Sequence, residues 1–249
     1  MVKAQVRTPN EIENIKKSGE ILTKVLDILV ASARPGVTSN ELDKIARAET
    51  KKLGGDPAFL GYQGFPATVC VSVNNEIVHA IPNDRPFKAG DLIGIDYGVN
   101  YKGMITDAAR TISMGKPSKD SLKLLEGCYS ATQKALDVVR DGVKVGDISF
   151  AIEQELKHHD LKVIYSLTGH GVGKQLHEDP IIPNYGSQGK GDTLLAGMTI
   201  AIEPIASIGT HDLYLADDGW TYMTRDGSLS AQFENTVLVT KDGCEVIAS

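Results

Sequence analysis

Five residues of metal-ligand type, Asp96, Asp107, His170, Glu203 and Glu234, each interrupt a separate apolar segment of this chain. Their settings are Leu92-Ile-Gly-Ile-Asp96-Tyr-Gly, Met104-Ile-Thr-Asp107-Ala-Ala, Leu167-Thr-Gly-His170-Gly-Val-Gly, Met198-Thr-Ile-Ala-Ile-Glu203-Pro and Gln232-Phe-Glu234-Asn-Thr-Val-Leu-Val. An isolated carboxylate in an apolar interior is strongly disfavoured. Four of them with one imidazole make sense together if they converge on cations. An oxygen-rich set with a single nitrogen suits two hard-to-borderline divalent ions sharing carboxylates, not a thiolate zinc site.

Taken one at a time, these residues also have plainer readings. Asp96 and Asp107 lie on two arms of a predicted hairpin, where solvent-facing acids are common. Flanking Ile93, Ile95, Ile105, Ala108 and Ala109 argue instead that both faces are covered, so the two carboxylates can face one cavity. A histidine in a glycine-rich loop such as Gly169-His170-Gly171-Val-Gly173 is often only a hydrogen-bonding turn residue. A second histidine, His177, seven residues on and beside carboxylate-bearing strands shifts the reading towards a site, and the glycines allow close approach of backbone or ligand. Glu203 precedes Pro204, which places it at a strand end or sheet edge. Glu234 reads as a strand residue, with an edge-strand charge as the bland alternative. Alone, His79, at the end of Val71-Ser-Val-Asn-Asn-Glu-Ile-Val-His79, is unremarkable, and Tyr62, Phe65, Cys70 and Trp220 read as ordinary packing.

The elements that must carry these residues follow from periodicity and caps. Thr8-Pro9-Asn10-Glu11 is a capping box with proline at the first helical position. It predicts a helix to about Ala33 with Ile12, Ile15, Ile21, Leu22, Val25, Leu26 and Leu29 inward. Thr38 to Glu41 caps a second helix ending near Gly54-Gly55. Residues 67–79 and 91–113 read as strands, the latter folded about Asn100-Tyr-Lys-Gly103. A third helix follows Pro117-Ser118 and a fourth follows Asp147, and residues 168–239 read as mainly strand. Val25-Leu-Asp-Ile leading to Gly36-Val37 is echoed by Ala135-Leu-Asp-Val leading to Gly142-Val143. A duplicated order of helix, helix, strands puts a ligand site at the junction of the halves.

Bulk properties narrow the class. A length of 249 residues without a long linker suits one domain, 1–249, made of two related halves. Interspersed charges with a net charge of −6 give no basic stripe for nucleic acid. The start of the chain has no apolar leader, and Lys24 and Asp27 break its most apolar early stretch, so no membrane span is expected. Cys70, Cys128 and Cys244, odd in number and far apart, read as reduced thiols of a cytoplasmic protein. No phosphate-binding loop, dinucleotide fingerprint or nucleophile elbow is present.

The ordered motifs Ile-Asp96-Tyr-Gly, Thr-Asp107-Ala-Ala-Arg-Thr, Thr-Gly-His170-Gly-Val-Gly, Ile-Glu203-Pro and Ser228-Leu-Ser-Ala-Gln-Phe-Glu234-Asn-Thr closely resemble those of type I methionine aminopeptidases, over essentially the whole chain. The resemblance implies an α+β pita-bread fold, two pseudo-symmetric αβ halves around a dinuclear metal site. Related prolidases, aminopeptidase P and creatinase carry an extra N-terminal domain, and type II methionine aminopeptidases a helical insertion in the C-terminal half. Here 32 residues separate His170 from Glu203 and 30 separate Glu203 from Glu234, as in the short bacterial form.

The resemblance implies metal-dependent removal of the N-terminal methionine from nascent polypeptides and peptides with a small second residue, by a cytoplasmic monomer, with encounter at the ribosome. Asp96, Asp107, His170, Glu203 and Glu234 would bind two divalent ions (Co, Mn, Fe or Zn). Glu203 would shuttle a proton, His177 would hydrogen-bond the substrate carbonyl, and His79 would contact the scissile nitrogen or the leaving group. Tyr62, Phe65, Cys70 and Trp220 match the methionine pocket, together with Phe59 and Leu176, which depart from the family's common residues there, as does Ala80 after His79. The rival expectations are an X-Pro peptidase of the same fold and a metal-free, non-catalytic pita-bread binding protein.

Overall fold

The computed structural model describes residues 5–249. Helix α1 (Pro9–Ser32) begins as its cap demands: the Thr8 amide donates to Glu11 Oε2 at 2.8 Å, and the Glu11 amide donates to Thr8 Oγ1 at 3.4 Å. Its inner face buries Ile15, Ile21, Leu22, Val25, Leu26 and Leu29, while Ile12 at the first turn remains partly exposed. Helix α2 (Ser39–Lys52) repeats the box through Thr38 and Glu41. These two helices cover a sheet built on strands Leu92–Tyr101, Cys70–Val73 and Asp56–Pro57, with Met104–Ser113 paired to Leu92–Tyr101. Val69, Val71, Ile93, Ile95, Tyr97 and Val99 fill the space between.

The second half uses the same plan. Helices α3 (Lys119–Val138) and α4 (Val145–His158) cover a five-stranded sheet ordered Cys244–Ala248, Asn235–Val239, Thr199–Ile202, Thr168–Gly171 and Glu178–Pro183. Leu124, Ile148, Ile152, Ile200, Ile202 and Val237 are buried in this second core.

The echo between Gly36-Val37 and Gly142-Val143 is structural. Gly36 and Gly142 both take positive φ, 93° and 80°. The Gly36 amide donates to Phe87 O at 2.9 Å, and the Gly142 amide to Leu194 O at 2.8 Å. The repeat then runs further than the sequence pattern suggested. Phe87-Lys-Ala-Gly90 corresponds to Leu194-Leu-Ala-Gly197, with φ of 93° and 91° at the two glycines. Gly90 donates to Met114 O at 2.7 Å and Gly197 to Val239 O at 2.9 Å. Asp96 lies six residues after Gly90, and Glu203 six residues after Gly197. Two of the metal-type carboxylates therefore occupy equivalent places in the two halves.

The halves are stitched along Met104–Ser113. Ala109 and Glu234 form an antiparallel bridge, with backbone hydrogen bonds of 2.9 and 3.2 Å. Thr111 Oγ1 donates to Gln232 O at 2.7 Å, and Thr236 Oγ1 donates to Asp107 O at 2.7 Å. Glu234 is thus a bridging residue between strands Ser230–Gln232 and Asn235–Val239, not the interior strand residue expected.

Three other expectations need correction. The fourth helix starts at Val145, before Asp147, whose Oδ2 accepts from the Lys144 amide at 3.0 Å and so satisfies a helix-start donor from within. The run 67–79 is two strands, Cys70–Val73 and Glu76–Val78, split at Asn74 (φ 59°) and paired into different sheets. After Thr168 the strands are short, and residues 184–198 cross without one, apart from a single bridge at Thr193. No helix among the described residues is long and apolar enough to cross a membrane.

Candidate active site

The hairpin settles the two aspartates. Tyr101 faces Met104 across a two-residue turn with positive φ at Lys102 (50°) and Gly103 (81°), the geometry that matches strand twist. Gly98 then faces Asp107 and Asp96 faces Ala109. With a period of two along each strand, both carboxylates project from the same face. His170 comes from strand Thr168–Gly171, paired with Thr199–Ile202, and Glu203 follows directly on that partner strand.

All five converge. One ligand atom each of Asp107, His170 and Glu234 lies within 4.8 Å of the others. His170 Nε2 is 3.6 Å from Glu203 Oε1 and 3.9 Å from Glu234 Oε1. Asp96, Asp107, His170 and Glu234 are buried, while Glu203 is partly open to the cleft. His170 Nδ1 lies 3.0 Å from Gly171 O. An Nδ1–H donating there leaves Nε2 as a free lone pair aimed at the carboxylates.

The electrostatics are those of a cation site. Burial pushes the Asp96 carboxyl up to about 7. Asp107, Glu203 and Glu234 are held well above the usual carboxylate range, first by burial and then by one another's charge and that of Asp96. Burial, and next the neighbouring His177, lowers His170 to about 3 and His79 to about 4. Buried oxygens Asp96 Oδ1, Asp107 Oδ1 and Glu234 Oε1 have no hydrogen-bond partner. Orphaned buried acceptors are rare in folded proteins and call for a bound partner such as an ion. Divalent cations fit that demand: they supply the missing contacts and offset the clustered negative charge.

The same cleft is also lined by one apolar cluster, Phe59, Tyr62, Phe65, Cys70, Leu176 and Trp220, with Cys70 directly across the strand pair from Asp96. Phe65 and Trp220 pack edge to face with centroids 5.1 Å apart. Phe59 lies on Gly98, where an added Cβ would stand 2.6 Å from its ring. His79 and His177 also line the cleft. His79 has φ 60°, turning the chain sharply just after strand Glu76–Val78. The His177 ring is 4.3 Å from that of His170, and its Nδ1 lies 2.9 Å from the Tyr62 hydroxyl.

Two lining residues were not anticipated, Gln63 and Gln232. Gln232 Nε2 donates at 3.4 Å to both Glu203 Oε2 and Glu234 Oε2, bridging two carboxylates. Strand alternation was the available signal, since Gln232 is two residues from Glu234 and shares its face. Gln63 sits in a turn between Gly61 and Gly64 and has no such signal.

The glycines around His170 serve backbone packing more than ligand approach. A Cβ on Gly169 would lie 2.4 Å from Ala201 O, and one on Gly171 2.2 Å from Asp179 O. Gly171→Ala must therefore displace strand Glu178–Pro183, which carries His177 at its head. Overpacking of this kind costs about 1–3 kcal/mol. A lowered melting temperature and reduced turnover are expected, whereas Gly94→Ala, whose Cβ would meet nothing nearer than 3.6 Å, should leave both nearly unchanged. Thermal unfolding of the two metal-loaded variants checks this.

The model of metallopeptidase family M24 matches residues 13–241, and the chain belongs to that family. Its two-halved architecture is the family's pita-bread fold. Within the family it is similar to methionine aminopeptidases. That of Clostridium perfringens is 40% identical over 97% of each chain, and that of Aquifex aeolicus 42% identical over 96% of each. The crystal structure of a methionine aminopeptidase from Thermotoga maritima superposes with a TM-score of 0.97, 39% identity and 99% coverage of both chains. A prolidase from Pyrococcus furiosus shares the fold, with a TM-score of 0.80 and 24% identity, but only 65% of that chain is covered.

Proposed function

We propose that the chain hydrolyses the peptide bond after an N-terminal methionine when the second residue is small, working as one catalytic unit over residues 1–249. The observation that carries this reading is one cleft that joins two chemically different surfaces. Four carboxylates and an imidazole line it together with the apolar cluster of Phe59, Phe65, Cys70, Leu176 and Trp220. An apolar, partly sulfur-lined wall suits an unbranched thioether. Full-length relatives about 40% identical that bear the name methionine aminopeptidase support the same substrate. The X-Pro reading is less favoured, because the prolidase of similar fold is only 24% identical and longer. The non-catalytic reading is opposed by a complete ligand set.

Asp96, Asp107, His170, Glu203 and Glu234 would hold two divalent ions from among Mn, Fe, Co and Zn. Bound there, the ions supply Lewis acidity, polarising the substrate carbonyl and lowering the pKa of a bound water. Glu203 is the carboxylate that remains open to the cleft, and it takes the proton from the attacking water and passes it to the leaving amine. The Tyr62 hydroxyl beside His177 Nδ1 favours the tautomer in which Nε2–H donates into the cleft, towards the substrate carbonyl oxygen. His79, neutral at physiological pH because burial lowers it to about 4, faces the scissile nitrogen. In this reading the enzyme acts as a monomer on nascent chains, at the ribosome, in a cytoplasm that keeps Cys70, Cys128 and Cys244 reduced.

Peptide kinetics test the substrate. Met-Ala-Ser should be cleaved, Lys-Ala-Ser and Ala-Pro peptides poorly. Each lost methylene-sized contact is worth roughly 10–200-fold in kcat/KM. Comparable rates on Met-Ala-Ser and Lys-Ala-Ser would overturn the proposal.

A further inference from the structure

Arg7 lies ahead of α1, far in sequence from every cleft residue, and is only 4% exposed. Its amide donates to Gly197 O at 2.8 Å. Its guanidinium donates from Nε to Thr199 Oγ1 at 3.0 Å and from Nη2 to Val172 O at 3.0 Å, and pairs with the fully buried Glu178. The other Glu178 oxygen, Oε1, accepts from the Gln175 amide at 2.9 Å. Gly173 lies flat on the guanidinium: a Cβ there would stand 2.5 Å from Nη2. A second tie joins the same loop to the same N-terminal segment, Lys174 Nζ to Glu11 Oε1 at 2.7 Å.

One planar fork therefore holds three things that the chemistry needs fixed together. Val172 is two residues after His170, Glu178 directly follows His177, and Thr199 opens strand Thr199–Ile202, directly after which comes Glu203. A buried ion pair is weak evidence for stability, because desolvation offsets most of the attraction. Its fixed, multiple hydrogen bonds instead define geometry. None of these groups reaches the cleft.

We infer that the Arg7–Glu178 pair is a positioning device for His177, holding the 172–178 loop against strand Thr199–Ile202, which leads into Glu203. This inference rests on the reading of His177 as donor to the substrate carbonyl. Misplacing a group by about 1 Å can cost on the order of 10²-fold in rate.

The test replaces both partners, Arg7→Met with Glu178→Gln, so that no buried charge is left unpaired. The folded, metal-loaded double variant should lose roughly 10–100-fold in kcat on Met-Ala-Ser with KM little changed. The same replacement made on His177→Ala should cost less than about twofold more, because the route through His177 is already gone. Wild-type kcat in the folded double variant, or an equal loss in both backgrounds, overturns the inference.

If the double variant does not fold, Arg7→Lys keeps the charge but not the fork. At least about a fivefold loss of kcat is then expected, and unchanged kcat overturns the inference. Ring nitrogen NMR of His177 reads the same device without turnover. One tautomer is expected in the native chain and an averaged pair in the variant, and one unchanged tautomer in both sinks the inference. An inactive native protein would refute the activity reading while leaving this NMR result decisive for the clamp.

Discussion

Exhaustive removal of divalent metal is expected to reduce hydrolysis of Met-Ala-Ser to background, with Mn or Co restoring it. The side chains left in the cleft supply at most general acid–base assistance, worth roughly 10²–10⁴-fold, against the 10⁶-fold or more typical of enzymes. Stability should change too, in a direction set by the carboxylates. In the metal-free protein Asp96 is raised from 3.8 to about 7, and Asp107, Glu203 and Glu234 stand well above their ordinary range. Raised acids bind more protons folded than unfolded, so their contribution favours the fold at low pH and is lost as pH climbs from near 4 through the folded values. The histidines act the other way. His170 and His79, lowered from 6.5 to about 3 and about 4, cost stability as pH falls below 6.5. The histidines, with His177 also lowered by burial, stop contributing about a pH unit above 6.5, and from there upward the raised acids set the slope. Over that range the metal-free protein should therefore become less stable as pH rises. The gap in melting temperature from the metal-loaded form should widen over the same range. A gap that narrows with pH would mean that the metals do not neutralise this cluster.

How far the sequence carried the reading differs from residue to residue. The caps at Thr8–Glu11 and Thr38–Glu41 are local hydrogen-bond patterns, and α1 and α2 begin where they say. The hairpin turn at Lys102-Gly103 is equally local, and with strand alternation it aligns Asp96 and Asp107 without tertiary information. Motif order brought His170, Glu203 and Glu234 into the same set, although only the fold shows why: Asp96 and Glu203 are counterparts in a repeated half whose similarity survives mainly as glycines and backbone hydrogen bonds. What stayed hidden depended on long-range partners. Gln232 acquires meaning only beside Glu203 and Glu234. Arg7 reads as an ordinary basic residue before a cap, and its partners Val172, Glu178 and Thr199 lie more than 160 positions away. The start of α4 was misread because Asp147 acts from the third helical position, not as the cap itself.

His170 and His177 should respond differently to truncation, although seven positions separate them and their rings stand 4.3 Å apart. His170 is buried, its Nδ1 faces the Gly171 carbonyl, and its Nε2 faces Glu203 and Glu234. His170→Ala therefore removes a ligand, and the affinity for one ion should fall together with activity. His177 places its Nδ1 2.9 Å from the Tyr62 hydroxyl, and in the proposed reading its Nε2 serves the charge that develops on the substrate carbonyl oxygen. Losing one donor to such an oxyanion costs on the order of 10²–10³ in rate. His177→Ala should consequently keep the fold and its metal stoichiometry while kcat falls by that factor. Tyr62→Phe, which removes only the group fixing the tautomer, should fall between the native protein and His177→Ala. Metal titration by calorimetry beside single-turnover rates separates binding from chemistry. If His177→Ala sheds an ion while His170→Ala keeps its full complement, the two roles are reversed, and His170, which also lines the cleft, is the carbonyl donor.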